Sequence, residues 1–474
     1  MDRRRILSLV LAFAAGCSTG SGISLASQAR DPAQSGRKKV YAHWHWFPTS
    51  FDNRPPNADI YADYISPDGS QGKLRAEGGY IRERPLSRDP RLEPNWAMLD
   101  MLDEIRAAHD IGIDGFQFNV GSVEPDSNYM VNLQNMLAAA NAGPADFKVV
   151  LSLDALILKG VAVDSISAAV VRLSSHRSIA RSSDGRILLG AFAPEQWQIG
   201  RWRALFEQIG AAGEKVSFFP TFLNPRSAFE FIDLIDGASM WGADRLSELE
   251  KLKRFSRRIK KAGKVSASVV WPQDFRPKDR WFAESRNSEL FRYSWQAAME
   301  MDSDIVNICT WNDYSEGSEI RPSTSIQYAY YDLAAFYIAW FKSGAMPPVN
   351  DDVLYYFHRI ESTEAEGCGT AQPFRFSTGL VDRFFNPVCN DIELLAFLKE
   401  AGEIAIVTEK GTHSFKAKSG ISSFRTPLAS GRVSFVLRRG GNIILSLESA
   451  FEVREKSLYQ DLLYHGGSSR RKAV

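Results

Sequence analysis

Asp313 and Glu316 stand three residues apart, directly after the apolar run 305–311. Two carboxyl groups that close can divide acid and base work. One delivers a proton to a leaving oxygen while the other activates water or attacks the carbon being left. That is the chemistry a glycosidic bond demands. The same spacing also suits a plain turn, with Asp313 as its cap and Glu316 in solvent. Asp154 and Asp274 follow other apolar runs and stand in reserve, whereas Asp114 precedes its run and belongs at the opposite end. Near the ends of such runs gather His43, His45 and Trp46, then Asn119, Trp241 and Trp271, and finally Trp311, Asn312 and Tyr314. Sugar hydroxyls need hydrogen-bond partners, and sugar C–H faces need aromatic platforms; this mixture offers both. His43 and His45 share one face of a strand by alternation. No third ligand accompanies them and no Cys/His spacing resembles a zinc site, so neither metal nor cofactor is expected.

Positioning these groups requires a scaffold, and the chain spells one out. Short β-branched or aromatic runs at 40–46, 115–120, 148–154, 187–192, 216–222, 237–241, 265–271 and 305–311 read as strands. Helical patterns follow at 96–109, 129–140, 165–174, 194–211, 227–233, 245–261, 288–300 and 326–341. Eight strands, each followed by a helix, predict a closed (β/α)8 barrel, whose active site lies at the C-terminal ends of the strands. An open doubly wound sheet is disfavoured because no Gly-rich phosphate loop follows the first strand. Pro94 and Pro194 open helices, Asp244 is a candidate N-cap and Gly263 a stop. Beyond Pro347-Pro348, strand runs at 353–358, 404–408, 433–437 and 443–447, with a hairpin between Gly411 and Gly420, predict a small all-β, sandwich-like domain. The expected division is an export signal at 1–29, a linker at 30–37, the barrel at 38–345, the β domain at 346–465 and a frayed tail at 466–474.

With 474 residues, 44% hydrophobic and 24% charged, the chain has ample core for both units. A net charge of +1 gives no bulk attraction to nucleic acid or to an anionic membrane. Arg3-Arg4-Arg5 before the apolar run 6–15 reads as a signal peptide. Ala14-Ala15-Gly16-Cys17 resembles a bacterial lipoprotein box, Arg3-Arg4 a twin-arginine signal and Ser27-Gln28-Ala29 an ordinary cleavage site. Export to the periplasm or the exterior is therefore expected, with Cys17 the one candidate lipid anchor, and the protein is expected to be a monomer. In such a compartment Cys368 and Cys389 are candidates for a disulfide, while Cys309 lies in an apolar strand as an inert core thiol.

The stretch Ile308-Cys309-Thr310-Trp311-Asn312-Asp313-Tyr314-Ser315-Glu316 resembles the Trp-Asn-Asp-aromatic-Gly-Glu-Ser signature of glycoside hydrolase family 71, the α-1,3-glucanases or mutanases. Val40-Tyr41-Ala42-His43, Gly112-Ile113-Asp114-Gly115-Phe116 running to Asn119, Leu151-Ser152-Leu153-Asp154, and Asp236-Gly237 with Trp241 resemble its other strands in matching order. For a bacterial member of that family, the resemblance implies endo-hydrolysis of α-1,3-glucan with inversion. Asp313 and Glu316 form the catalytic pair, Glu316 as acid and Asp313 as base, and Asn119 and Asp154 hold the sugar. Ser315 replaces the usual Gly and Gly317 the following Ser, and the His-Trp-His-Trp run at 43–46 departs from the pattern. The segment 47–93, with Tyr61, Tyr64 and Tyr80, is expected to wall the cleft. Two alternatives remain open: another α-linked polymer such as an α-mannan or exopolysaccharide, or a non-catalytic carbohydrate-binding lipoprotein.

Overall fold

The computed structural model describes residues 38–45, 52–242, 244–365, 375–376 and 387–471. The segments expected as signal and linker, together with Trp46 and Cys368, lie outside these residues. Strands β1 (Lys39–Trp44), β2 (Gly115–Val120), β3 (Lys148–Asp154), β4 (Ile187–Phe192), β5 (Val216–Phe222), β6 (Gly237–Met240) and β7 (Val265–Val270) come first. A short hairpin, β8 (Asp274–Arg276) and β9 (Trp281–Ala283), precedes the last barrel strand, β10 (Ile305–Ile308). The eight barrel strands pair in parallel and close in the order β1-β10-β7-β6-β5-β4-β3-β2. This is the expected (β/α)8 barrel. Its strands lie between lumen and helices, which is why β2 is buried at every position and reads as a nearly continuous apolar run.

Helices α1 (Ile60–Ile65), α2 (Trp96–Asp110), α3 (Asn128–Ala142), α4 (Val163–Ser174), α5 (Ile199–Ala211), α6 (Leu249–Lys261), α7 (Glu289–Glu300) and α8 (Ala329–Ser343) complete the layer. In α6, Leu249, Leu252, Phe255 and Ile259 are buried at helical spacing, and Arg258, Lys260 and Lys261 complement the dipole of the last turn. Gly263, at φ +73°, ends the segment as expected. Two expectations need correction. The helix expected at 227–233 is only a 3-10 turn, Ser227–Phe229. Asp244 does not cap α6; its carboxylate is held by Arg245 at 2.8 and 3.0 Å.

The rest of the chain forms β11 (Val353–His358), β12 (Arg375–Phe376), β13 (Asp391–Leu398), β14 (Gly402–Thr408), β15 (Gly411–Ala417), β16 (Gly420–Pro427), β17 (Ser434–Arg439), β18 (Asn442–Glu448) and β19 (His465–Ser468). β12 extends the β8–β9 hairpin, while the others make two antiparallel four-stranded sheets, β16-β13-β11-β19 and β15-β14-β17-β18. Leu354, Tyr356, Ile392 and Leu394 face Ile404, Ile406, Phe435 and Leu437 across the sandwich. The alternate residues Tyr355, Phe357, Leu395 and Phe397 point the other way and join the barrel core. There Phe397 meets Phe336 of α8 edge-on at 5.0 Å, and Phe357 lies 5.4 Å from Tyr330. One sheet therefore serves two cores. The hairpin expected between Gly411 and Gly420 is instead a crossing, since β15 pairs with β14 and β16 with β13. The tail expected to fray from 466 is a strand through Ser468, paired with β11.

Candidate active site

β10 ends at Ile308, and the chain then makes a tight excursion that returns alongside itself. Thr310 N donates to Ser318 O at 2.6 Å, Ile320 N to Thr310 O at 3.0 Å and Arg321 N to Trp311 O at 3.0 Å. Asp313 and Glu316 occupy the tip of this hairpin. Asp313 Oδ1 accepts from Ser315 N (3.0 Å), Ser315 Oγ (2.7 Å) and Glu316 N (3.2 Å), so it does cap the turn. Its other oxygen faces His45 Nδ1 at 3.7 Å, leaving one acceptor directed toward the mouth of β1. The cap and the chemistry are compatible.

Glu316 receives Arg276 Nη1 at 2.9 Å and keeps 20% of its side chain exposed. Burial and then the neighbouring Asp313 charge push its pKa well above the usual carboxylate range, with Arg276 pulling the other way. Arg276 also grips the buried Asp274 through two bonds, of 2.9 and 2.8 Å, and lies over the Trp281 ring at 4.8 Å. Burial lifts Asp274 to about 7, against the pull of Arg276. Asp274, held in reserve from sequence, thus stands behind the pair, and Arg276 is the side chain of the candidate site that the sequence did not single out. Its one signal was a cluster of charges, Asp274-Phe275-Arg276-Pro277-Lys278, just past a strand end.

The remaining expected site residues divide. His43 and His45 point to the same side, their rings 6.5 Å apart, and His43 packs edge-on against Trp241 at 5.7 Å. Burial holds His43 down to about 3, so it is a neutral imidazole on the floor of the cleft. His43 and Trp241, with Gln117, Ser152, Phe192 and Thr221, line a cavity of about 10 Å³, roughly one water's space. Asn119 Nδ2 donates to Asp154 Oδ2 at 3.3 Å, and Asp154 Oδ1 accepts from Leu156 N and Ile157 N at 3.0 and 3.1 Å. Both sit at the lumen end with little exposed surface, and Asp154 shapes the β3 turn.

Four expected sugar contacts need correction. Trp271 and Trp311 are fully buried, and Trp311 Nε1 points outward to Glu104 of α2 at 3.2 Å, beside Trp44 Nε1 at 2.9 Å. Tyr314 is buried edge-on against Tyr61 at 5.9 Å. Asn312 is also buried, and brackets the main chain of His45 with bonds of 2.8 and 3.2 Å. Trp311, Asn312 and Tyr314 brace the hairpin, Trp271 packs edge-on against Trp241 at 5.1 Å, and none of the four has surface for substrate. Tyr61 likewise packs behind the hairpin rather than walling the cleft. Sequence reading passed over the exposed Leu156, Ile157 and Leu223 at the ends of β3 and β5, across the barrel from the hairpin. Among the described residues no cluster of His, Cys, Asp or Glu is suited to a metal ion. Cys389 is a free buried thiol, pushed up to about 12 by burial; its expected partner Cys368 is not described.

Residues 93–463 match glycosyl hydrolase family 71. The chain belongs to that family. It is a glycoside hydrolase, and the carboxylate hairpin lies inside the matched region. It is 24% identical over 411 residues to the glucan endo-1,3-alpha-glucosidase agn1 of Schizosaccharomyces pombe, covering 80% of this chain and 91% of the relative. It is 22% identical over 406 residues to the mutanase Pc12g07500 of Penicillium rubens, covering 79% and 86%. Among solved structures, the GH99 endo-alpha-mannosidase of Bacteroides thetaiotaomicron superimposes with a TM-score of 0.50 at 16% identity, over 64% of this chain and 97% of that one. That likeness concerns the fold.

Proposed function

We propose that this glycoside hydrolase cleaves α-1,3-glucosidic bonds within α-glucan, with inversion at the anomeric carbon. Glu316 gives its proton to the departing sugar oxygen, and Asp313 draws a proton from the attacking water. The observation that carries this reading is the asymmetry of the pair. Three donors converge on Asp313, while burial and the Asp313 charge raise Glu316 well above the usual carboxylate range, which favours its protonated form. Water then attacks as the glycosidic bond breaks, the proton from Glu316 caps the leaving hydroxyl, and Asp313 ends with the water's proton. Retention of both carboxylates speaks against a purely binding role. The two relatives named for α-1,3-glucan support the linkage, and the N-terminal Arg3-Arg4-Arg5 and apolar run 6–15 support export.

Reducing-sugar release from α-1,3-glucan, α-1,4-glucan and α-mannan tests the linkage, and early ¹H NMR of the products tests the stereochemistry. Release from α-1,3-glucan alone, with β-anomeric product appearing first, is expected. Cleavage of α-mannan in preference, or α-anomeric product first, overturns the corresponding half of the proposal.

A further inference from the structure

A second pair of carboxyls lies behind the hairpin, outside the chemistry described above. Glu319 sits on the returning arm, three residues past Glu316, and Glu83 sits on the strap that runs from α1 toward α2. Both are buried, with 1% and 0% of their surface exposed. The strap is stitched to the hairpin's exit by main-chain bonds: Thr324 N donates to Arg84 O at 2.9 Å and Leu86 N to Pro322 O at 3.2 Å. Ser323 Oγ donates to Glu83 Oε2 at 2.7 Å, and Ser325 Oγ donates to the same oxygen. Glu83 Oε1 and both Glu319 oxygens lack a well-formed hydrogen bond among the described residues; the Ser323 hydroxyl and the Glu319 main chain approach Glu319 more loosely, and the two carboxyls are within reach of each other.

Two buried carboxylates that face each other without a donor between them repel strongly, and each orphaned oxygen adds a desolvation cost. One proton removes both problems, because it turns one carboxyl into the donor that the other needs. We infer that Glu83 and Glu319 share a proton, and that this hydrogen bond clamps the hairpin bearing Asp313 and Glu316 to the strap. Other groups face the pair from neighbouring elements. His465 of β19, itself beside Asp461 at 3.4 Å, bears on Glu83. The phenols of Tyr314 and Tyr330 (α8) lie near Glu319. Gly317 leaves the room: a Cβ there would fall 2.6 Å from Leu463 and 3.5 Å from Glu83 Oε1. Burial raises both carboxyls above their usual range, in keeping with a retained proton. Glu83 and Glu319 are positioning residues that act through the hairpin backbone.

The inference rests on the catalytic reading of Asp313 and Glu316, so its test includes a measurement that needs no substrate. The native pair holds a proton that the unfolded chain gives up above about pH 4.5, so stability falls as pH rises from there toward the pair's elevated pKa. Within that window the folding equilibrium changes roughly tenfold per pH unit for one proton. Glu319→Gln supplies a permanent N–H in place of the proton, and Glu319→Leu supplies nothing. On the full chain, the Gln variant is expected to lose less melting temperature than wild type between pH 5 and 9. In kinetics the Leu variant is expected to lose at least tenfold in kcat with KM within about twofold, and the Gln variant to recover most of that loss. Parallel melting profiles for wild type and Gln overturn the shared proton. Gln and Leu variants equally impaired in kcat overturn the clamp. If the Leu variant does not fold, the melting comparison of wild type with Gln still decides. A preparation that melts as expected but leaves every α-1,3-glucan intact sinks the proposed function alone.

Discussion

The two ends of the barrel treat acidic side chains in opposite ways. Where the strands begin, carboxylates lie directly against cations, Arg186 serving both Asp184 and Asp236. Asp114 receives Lys39 at 3.0 Å and Lys342 at 2.7 Å, Asp236 receives Arg186 at 2.9 Å, and Glu214 receives Arg181 at 2.8 Å. The Arg181 hydrogen bond holds Glu214 below its ordinary value, and Ser182 and Arg186 hold Asp184 down at about 2. Where the strands end, Asp274 and Glu316 share Arg276, Asp313 faces His45 at 3.7 Å, and burial drives Asp274 and Glu316 upward. The larger hollow, of about 690 Å³, lies at the matched end, yet its charges are already satisfied there. Frustrated charge, more than open volume, marks the end of the barrel proposed to react.

That contrast can be broken experimentally. The largest effect is expected at the hairpin. Asp313→Asn and Glu316→Gln should each lower kcat by roughly 10²–10⁴-fold without lowering the melting temperature, and full activity in both variants would remove the pair from the mechanism. Next comes the pH profile. With Glu316 as the proposed acid, activity is expected to fall as pH rises through the elevated pKa of that group. Asp274→Asn removes a charge that raises this pKa, and should move the alkaline limb down. Arg276→Met removes the charge that lowers it, and should move the limb up. Limbs that stay in place, or move together, would contradict the wiring.

Stability should divide along the same line. Asp274, near 7 when folded and about 3.9 when unfolded, holds a native proton across that interval, so stability drains as pH climbs through it. Glu214 is depressed, so its contribution is present above its unfolded value and disappears as pH falls through its folded value. Thermal melts of Asp274→Asn should therefore flatten on the neutral side, and those of Glu214→Gln on the acid side. The smallest effect belongs to Arg186→Met at the matched end. Because 30% of that side chain is exposed, solvent screening limits the expected loss to about 1 kcal/mol, read by urea melts, with kcat unchanged. A large rate loss there would erase the distinction between the ends.

Much of this could be read from the chain beforehand, and the exceptions share a cause. Barrel strands buried on both faces announce themselves as apolar runs; for β2, β3, β4 and β5 the expected and observed limits coincide. Period 2 on its own does not say which face meets the lumen. Trp311 looked like a sugar platform at a strand end, and only its indole bond to Glu104 reveals that it faces the helices. β13 escaped notice because Glu393 interrupts an apolar run. Its carboxylate, buried with Arg292 at 2.8 Å, Ser288 and Ser423, is neutralised by residues more than a hundred positions away or on another strand. The β8–β9 hairpin, charged and broken by Pro277, gave no period at all, and Arg276 went with it. Local pattern carries the scaffold; long-range charge pairing does not show in it.

β19 ties the β domain to the barrel. His465–Ser468 close the edge of β11, and a side chain at Gly466 would strike Ile326 while one at Gly467 would strike Tyr356 and Gln327, so this strand is seated against the barrel as well as the sheet. That double seating makes β19 a keystone between the two units: Gly466→Ala or Gly467→Ala should loosen the joint without touching the carboxylate hairpin itself.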